Sequence, residues 1–415
     1  MVDFKRLAKA LDGSPALQRR AELANLSLTV RSGDDLVGVR IGDGIAVSLG
    51  AAPAAAFGLA AAPGTWAEFA KPVPPVGFQS LVGMQRLGHM TIDGDVLAWG
   101  RNLLFLEQVF AVLRPEAASD PVAPVGVPVI EPIIGRYLRL DFHGKPHRLY
   151  FEEAGQGIPL LCLHTAGSDG RQYRALLNDA DITRRYRVIA FDLPWHGKSS
   201  PPPGFEHEAY QLTTDGYVDI VMAVSRALRL DRPVVMGCSI GGRAVLHLAL
   251  RHGAYFRAAI GLQSATHADA GADTRLRDLG FMFRPDVHGQ EAAAGTVACL
   301  IAPTAPVADR WETLWHYMQG GPSVFLGDIH YYFTDGDLRN AALDALDAKC
   351  PLYLLTGEYD LSATPELTAE VARITKARHF EVMRGMGHFP MSESPVEFRR
   401  YLLPILDRII AEAPA

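Results

Sequence analysis

The stretch that decides the fold is Val234–Gly242, which reads Val-Val-Met-Gly-Cys-Ser-Ile-Gly-Gly. Its first residues have the length and β-branched content of a buried strand, and residues 244–250 read as a helix. A Gly-x-Ser-x-Gly segment between a strand and a helix is typical of a sharp turn that lifts a serine hydroxyl clear of the backbone. Side chains at Gly237 or Gly241 would collide across so tight a turn. The pattern therefore predicts that Ser239 is a nucleophile.

A serine of this kind needs a base to take its proton and a carboxylate to orient that base. Both residue types follow downstream, the carboxylate after an apolar run with the pattern of a buried strand and the histidine after a strand that ends in a flexible loop. Residues 351–360 end in Gly-Glu-Tyr-Asp, and residues 380–388 end in Gly-Met-Gly-His. Because the order serine, aspartate, histidine is the one expected for such a nucleophile, we predict a catalytic triad of Ser239, Asp360 and His388.

Two other carboxylates are alternatives for the acid of this triad. Glu358 lies two residues before Asp360, on the same face if the strand continues. Asp269 follows the preceding strand of the predicted sheet and is a weaker alternative.

Taken together, these segments resemble the α/β-hydrolase superfamily over about residues 140–410. The matching segments are the serine turn, Gly357–Asp360, Gly387–Pro390, His164–Gly167 and Phe191–Ser199. The resemblance implies a mostly parallel sheet flanked by helices, with a helical cap, over residues 133–415.

The same resemblance implies roles for residues outside the triad. The amides of Ala166 and Ile240 are expected to form the oxyanion hole, although Thr165 stands where the family usually has glycine. Asp192 is expected to hold a turn rather than to act as an acid or base.

A segment from about residue 264 to 346 interrupts the alternation of strands and helices, as a cap insertion does. Most of its many aromatic residues are expected to form the core of the cap itself, and the surplus favours an apolar or aromatic substrate. Its acidic residues are expected to cap turns on a solvated face, and its histidines lack the spacing of metal ligands. The predicted substrate-lining residues are Trp195, Trp311, Trp315 and Tyr331, and the acidic residues are Asp328, Asp335 and Asp337.

The sequence pattern of residues 1–116 predicts a separate, small α+β domain. Apolar and polar residues alternate over Leu26–Val30, Leu36–Ile41 and Ile45–Leu49, which predicts an antiparallel meander. A short helix around Trp66 with a capping threonine, a strand at Met90–Asp95 and a helix at Asn102–Leu113 are expected to follow.

This pattern resembles the sterol-carrier-protein-2-like fold, and the resemblance implies an apolar tunnel for lipid-like ligands. The alternative is that the aromatic residues are the core of a domain without a ligand, which covers the hydrolase mouth or mediates self-association into a homo-oligomer. Residues 117–132 are rich in proline and lack periodicity, so we expect an extended linker between the two domains.

Composition narrows the range of functions. With a net charge of −6 and no basic face, the chain of 415 residues is not expected to bind nucleic acid. Its four cysteines are scattered and predict free, buried thiols in a reducing compartment. The N-terminal stretch lacks the apolar core of a secretory signal, and no apolar run reaches the length of about eighteen residues that a membrane span needs. We therefore expect a cytoplasmic protein.

Three functions are open from the sequence. The first is a serine hydrolase that cleaves an apolar, aromatic or lipid-like carboxylic ester without a cofactor or metal. The second is a carbon–carbon bond hydrolase for ring-opened aromatic products, which in this superfamily uses the same three residue types. The third is a non-catalytic lipid-binding module. A serine at the sharp turn argues against dehalogenase and epoxide chemistry, which use an aspartate there.

Overall fold

The computed structural model describes residues 2–115, 126–268, 279–346 and 350–412, and these form two compact units. Residues 2–115 and 279–299 make up the first unit, and the remaining described residues make up the second. The predicted linker lies partly outside the described residues. Its described part, 126–132, contains no helix or strand.

The first unit contains a five-stranded sheet in the order β3-β2-β1-β4-β5. The predicted meander is confirmed, because β1 pairs antiparallel with β2 and β2 antiparallel with β3. A strand that the sequence did not predict, β4, pairs parallel with β1 and antiparallel with β5. The strands are β1 (Leu26–Ser32), β2 (Asp35–Ile41), β3 (Ile45–Leu49), β4 (Phe57–Ala61) and β5 (Met90–Gly94).

Helices pack on both sheets of the protein. In chain order they are α1 (Pro15–Ala24), α2 (Pro63–Phe69), α3 (Leu81–Arg86), α4 (Val96–Gly100), α5 (Leu103–Ala111), α6 (Arg174–Leu177), α7 (Ala180–Thr183), α8 (Thr214–Ala227), α9 (Ile240–His252), α10 (Gly289–Val297), α11 (Val307–Met318), α12 (Val324–His330), α13 (Pro365–Thr375), α14 (Pro390–Glu393) and α15 (Pro395–Ala411). Helices α1–α5 and α10 belong to the first unit.

Aromatic side chains fill the core of the first unit. Trp66 and Trp99 are fully buried, and Trp66 stacks on Phe110 with ring centroids 6.1 Å apart. The predicted short helix around Trp66 is present as α2. Its cap was predicted wrongly, because Ala62 is the N-cap and Pro63 occupies the first helical position, where its missing N–H costs nothing.

The position of helix α10 differs from the prediction that residues 264–346 form one cap insertion. It packs against α5, and a Cβ added to Gly295 would lie 2.7 Å from Leu103 Cβ, so a glycine is needed for this close approach. Arg20 also pairs with Glu291 at 2.7 Å. Residues 279–299 therefore pack in the first unit, and the described helices of the predicted cap that belong to the second unit lie within residues 300–346.

The second unit contains an eight-stranded sheet in the order β13-β12-β11-β10-β8-β9-β7-β6. The predicted hairpin is present as the antiparallel pair β6–β7, and β7 pairs antiparallel with β9. The six strands β13, β12, β11, β10, β8 and β9, in this order across the sheet, all pair in parallel with their neighbours in this series. The strands are β6 (Ile134–Phe142), β7 (Lys145–Ala154), β8 (Ile158–Leu163), β9 (Tyr186–Phe191), β10 (Val234–Cys238), β11 (Ala258–Leu262), β12 (Leu352–Gly357) and β13 (His379–Met383).

This sheet brings the predicted site residues to one edge. Both of its faces are covered: Leu161 packs in one apolar cluster, and its neighbour Leu160 packs in another. Because the carboxyl ends of parallel strands lie at the same edge, the loops after β8, β10, β12 and β13 meet there. The sequence therefore correctly predicted an α/β fold with a mostly parallel sheet flanked by helices.

Two further expectations bear on the described residues. All four cysteines are buried and none of them forms a disulfide, as predicted. In the part of the chain that the structure describes, we find no helix whose length and apolar character would let it cross a membrane.

Candidate active site

Ser239 occupies the turn between β10 and α9. Its φ of 61° and ψ of −116° are unusual for a residue with a side chain, and such strain costs about 1–3 kcal/mol. The flanking glycines permit the turn. A Cβ at Gly237 would lie 2.4 Å from the Gly241 carbonyl oxygen, and one at Gly241 would lie 2.5 Å from the Leu163 carbonyl oxygen. The predicted strand, sharp turn and helix are thus present.

His388 and Asp360 form a buried pair on the loops that follow β13 and β12. His388 Nδ1 lies 2.8 Å from Asp360 Oδ2, and both side chains are almost completely excluded from solvent. The other carboxylate oxygen, Oδ1, accepts hydrogen bonds from the amides of Ser362 and Ala363 at 2.7 and 3.1 Å. These amides fix the carboxylate, which in turn assigns the proton to Nδ1 and leaves Nε2 available as a base.

The peptide groups around His388 are held on several sides. The Cys238 thiol donates to the His388 carbonyl oxygen at 3.0 Å, so the histidine backbone lies beside the residue that precedes Ser239. The His388 amide donates to Leu300 O at 2.9 Å. The Gln263 side chain donates to the Gly387 carbonyl oxygen at 3.1 Å. The loop that delivers the histidine is therefore fixed independently of its ring.

Glu393 completes the support of this loop. Its carboxylate accepts hydrogen bonds from the amides of Gly387 and Phe389, the two neighbours of His388. Because the carboxyl group is fully buried, its pKa is raised from the ordinary value of 4.5 to about 7. Sequence reasoning missed Glu393, because its position five residues after the histidine carries no motif.

Of the two alternative acids of the triad, the structure describes the contacts of one. Glu358 pairs with Arg384 at 2.9 Å and accepts a hydrogen bond from the Gly385 amide at 2.9 Å. It therefore holds the start of the histidine loop and is engaged away from the ring that Asp360 contacts. Asp269 lies outside the described residues.

The loop after β8 carries the predicted oxyanion amide of Ala166. The Thr165 amide donates to Gln172 Oε1 at 3.1 Å, and the Gly167 amide donates to Asp328 Oδ2 at 2.7 Å. Among the described residues, the amides of Ala166 and of Ile240 have no hydrogen-bond acceptor. The carbonyl of Leu163 contacts Gly241, so this loop starts beside the serine turn.

Neighbouring side chains hold the base of the same loop. His164 Nε2 accepts from the Leu193 amide at 3.1 Å, and His164 Nδ1 donates to the Thr165 carbonyl oxygen at 2.9 Å. Burial lowers the pKa of His164 to about 4, so the ring is neutral. Asp192 accepts hydrogen bonds from the amides of Gly170 and Lys198 at 2.9 and 2.7 Å, which agrees with its expected role in a turn.

Asp328 was predicted wrongly as a surface residue. Its side chain is fully buried, and it pairs with His196 Nε2 at 2.8 Å and with the Tyr210 hydroxyl at 2.8 Å. Burial disfavours the charged ring, but the Asp328 carboxylate outweighs burial and raises the pKa of His196. His196 Nδ1 also donates to Pro194 O at 2.9 Å, as a charged imidazolium does with both nitrogens. Asp335 is exposed, as expected.

The four residues predicted to line the substrate site lie in different places. Trp195 is half-buried and packs on Tyr210 with ring centroids 5.3 Å apart. Trp311 and Trp315 are 38% and 53% exposed on α11, where they line a surface groove of about 590 Å³. Tyr331 is fully buried against Tyr217. Tyr331 is therefore a core residue, and Trp311 and Trp315 lie on the surface of α11.

Comparison with known proteins identifies the family. A model of the alpha/beta hydrolase family matches residues 160–400, which is more than half of the chain. An uncharacterized protein of Mycobacterium tuberculosis is 24% identical over 282 residues, covering 62% of this chain and 76% of that protein. A 2-hydroxymuconate semialdehyde hydrolase of Pseudomonas sp. is 29% identical over 108 residues, covering 25% of this chain and 36% of that enzyme.

Solved structures agree with this assignment. A thermophilic esterase from Thermogutta terrifontis superimposes with a TM-score of 0.56 at 20% identity, covering 66% of this chain and 99% of the esterase. An aryl esterase from Burkholderia cenocepacia, itself described as putative, gives a TM-score of 0.55 at 18% identity, covering 67% of this chain and all of that structure. At these identities the likeness concerns the fold. Since the family model spans the strand, serine turn and histidine loop described above, the chain belongs to the alpha/beta hydrolase family.

Proposed function

We propose that this hydrolase is a serine esterase that cleaves carboxylic esters through an acyl-enzyme on Ser239. The observation that carries the proposal is the strained serine turn at the sheet edge that also holds the buried His388–Asp360 pair. A hydroxyl in such a turn is exposed to a bound carbonyl, and an imidazole oriented by a carboxylate is the base that this chemistry requires.

In the proposed reaction, His388 Nε2 takes the proton of Ser239 as the hydroxyl oxygen attacks the ester carbonyl. Asp360 holds the ring in the required tautomer and stabilises its charged form. The amides of Ala166 and Ile240 donate to the oxyanion of the tetrahedral intermediate. His388 then protonates the leaving alcohol, and water activated by the same ring hydrolyses the acyl-enzyme. No cofactor takes part in these steps.

The surroundings of the site support a substrate class for the proposed esterase. Apolar and aromatic side chains such as Phe325, Phe389 and Tyr317 pack next to the Ala166 loop and to His388. Such surroundings favour an ester with an apolar or aromatic acyl group, and lipid-like esters belong to the same class.

A second candidate is hydrolysis of a carbon–carbon bond in a ring-opened aromatic product. The observation that favours it is the similarity to a relative whose name specifies hydrolysis of 2-hydroxymuconate semialdehyde rather than of an ester. A serine, histidine and aspartate would serve that reaction as well.

Initial rates decide between the two. We would measure them on nitrophenyl esters of increasing acyl length and on one ring-fission dienoate, with Ser239→Ala as the control. The proposal predicts turnover of esters that is lost in the variant. Turnover of the dienoate alone would replace the proposal with the second candidate. If neither wild type nor Ser239→Ala turned over any of these substrates, the third function, a non-catalytic lipid-binding module, would be favoured.

The likeness of the first unit to sterol-carrier-protein-2 domains stays a prediction. The mixed sheet and its helices support it, whereas the filled aromatic core around Trp66 and Trp99 supports a domain without a ligand. Titration of the full chain with a fluorescent fatty acid tests the tunnel. Tight binding that Ser239 inhibitors leave unchanged would favour a lipid site in the first unit.

A further inference from the structure

The loop that carries Ala166 is held by two cap helices. On one side of Ala166, Asp328 on α12 accepts a hydrogen bond from the Gly167 amide at 2.7 Å. On the other side, the Tyr317 hydroxyl on α11 lies 2.6 Å from Thr165 Oγ1. Thr165 and Gly167 are the two neighbours of Ala166 in the chain. Both neighbours are therefore attached to the cap.

The Asp328 carboxylate is held in place by its other partners. It is fully buried, and it accepts hydrogen bonds from His196 Nε2 and the Tyr210 hydroxyl, each at 2.8 Å. A buried carboxylate without such partners would be strongly unfavourable. The carboxylate therefore has a defined position set by the loops around His196 and Tyr210, and it transmits that position to Gly167.

Packing restricts the loop further. Gly167 has a φ of 67°, which glycine adopts without strain, and a Cβ there would lie 2.8 Å from the Phe325 ring. Phe325 belongs to α12, the helix that also carries Asp328. The amides on both sides of Ala166 are engaged, by Gln172 and by Asp328. Between them, the Ala166 amide has no acceptor among the described residues.

We propose that Asp328 and Tyr317 are positioning residues for the oxyanion hole, because they fix the direction of the Ala166 amide relative to Ser239. The inference rests on the proposed function, since an oxyanion forms only if Ser239 attacks a carbonyl. Neither side chain is required to touch the substrate. The cap therefore contributes to transition-state stabilisation, beyond covering the site.

A positioning role affects the transition state more than substrate binding. Removal of a whole oxyanion-hole donor lowers kcat by about 10²–10³-fold, so a misdirected donor should lower it by about 10–100-fold. We expect this loss of kcat in Asp328→Asn and in Tyr317→Phe, with KM on a nitrophenyl ester within about threefold of wild type. The inhibition constant of a trifluoromethyl ketone, whose adduct places an oxyanion in the hole, should rise by the same factor as kcat falls.

The matched control is Asp335→Asn, which makes the same change on an exposed residue of the cap that contacts Thr214 instead of the loop. Its kcat and inhibition constant should stay within twofold of wild type. Because Tyr317→Phe removes only a hydroxyl, it carries the test alone if Asp328→Asn does not fold.

Three results would overturn the inference, and each can be distinguished from the other two. If Tyr317→Phe, and Asp328→Asn if it folds, kept wild-type kcat and ketone affinity in an active enzyme, the positioning role would be wrong and the esterase would stand. If kcat and KM both changed while ketone affinity did not, the residues would serve substrate binding instead. If the wild-type protein neither hydrolysed esters nor bound the ketone, the proposed function would fail, and the inference with it.

Discussion

Replacing Glu393 by glutamine should remove a pH dependence of the free energy of unfolding that arises from the burial of this carboxyl group. The Glu393 carboxyl is fully buried beside His388, and its amide contacts do not offset the cost of burying its charge. Its pKa is raised from 4.5 to about 7. In the folded protein the group therefore keeps its proton to a higher pH than in the unfolded chain.

The sign and size of the effect follow from this shift. Between about pH 4.5 and pH 7 the unfolded chain loses the proton while the folded protein retains it, so stability falls as the pH rises. The pKa rises from 4.5 to about 7 on folding, and at about 1.36 kcal/mol for each factor of ten in proton affinity this corresponds to about 3 kcal/mol. Below about pH 4.5 the group is protonated in both states and contributes no pH dependence. Glutamine is neutral at every pH, so the Glu393→Gln variant does not lose this part of its stability as the pH rises.

Urea unfolding at a series of pH values measures the difference. The stability of Glu393→Gln relative to wild type should rise by about 3 kcal/mol between about pH 4.5 and about pH 8, whatever its offset at low pH. Glu358→Gln, which alters a partly exposed carboxylate on the neighbouring loop, is the control and should follow wild type. If the free energies of unfolding of Glu393→Gln and wild type changed equally with pH over this range, the conclusion that burial raises the pKa of Glu393 would be refuted.

Three further predictions test other parts of the structure. Gly237→Ala places a Cβ 2.4 Å from a backbone carbonyl oxygen and should destabilise the protein by about 1–3 kcal/mol or more. Gly64 lies in helix α2, and a Cβ there would have no atom within 4 Å, so Gly64→Ala should stabilise the protein by about 0.5–1 kcal/mol. Thermal unfolding measures both changes. Asp360→Asn should lower kcat roughly 10²–10⁴-fold with little change in KM or in the circular dichroism spectrum, and Glu358→Gln should keep most of the activity; equal rates in Asp360→Asn and wild type would place the acid elsewhere. All four buried thiols should resist Ellman's reagent in the native protein and react after unfolding, and rapid reaction of one of them without denaturant would contradict the described burial.

The sequence predicted those features that local chemistry imposes. A turn tight enough to present Ser239 requires glycine at Gly237 and Gly241, so the motif reports the geometry directly. The loop that carries Asp360 follows a fully buried strand, and the loop that carries His388 follows the edge strand that pairs with it. These features depend on few neighbours and are therefore visible in a single chain.

Features that depend on distant partners were missed. Strand β4, Phe-Gly-Leu-Ala-Ala, lacks β-branched residues and is a strand because it pairs with β1 and β5. Asp328 resembles any turn-capping aspartate until the fold brings His196 and the Gly167 amide to it. Helix α10 follows the hydrolase strands in sequence but packs with the first unit, and no local pattern predicts that change.

The central claim is that Ser239 is the nucleophile, and labelling with a fluorophosphonate tests it most directly. Intact-mass and peptide mass spectrometry would be applied to wild type, Ser239→Ala and Asp335→Asn. Stoichiometric labelling of the peptide that contains Ser239 in wild type and in Asp335→Asn, with none in Ser239→Ala, is the predicted result. Labelling of Ser239→Ala to the same extent, or of another residue in wild type, would contradict the account.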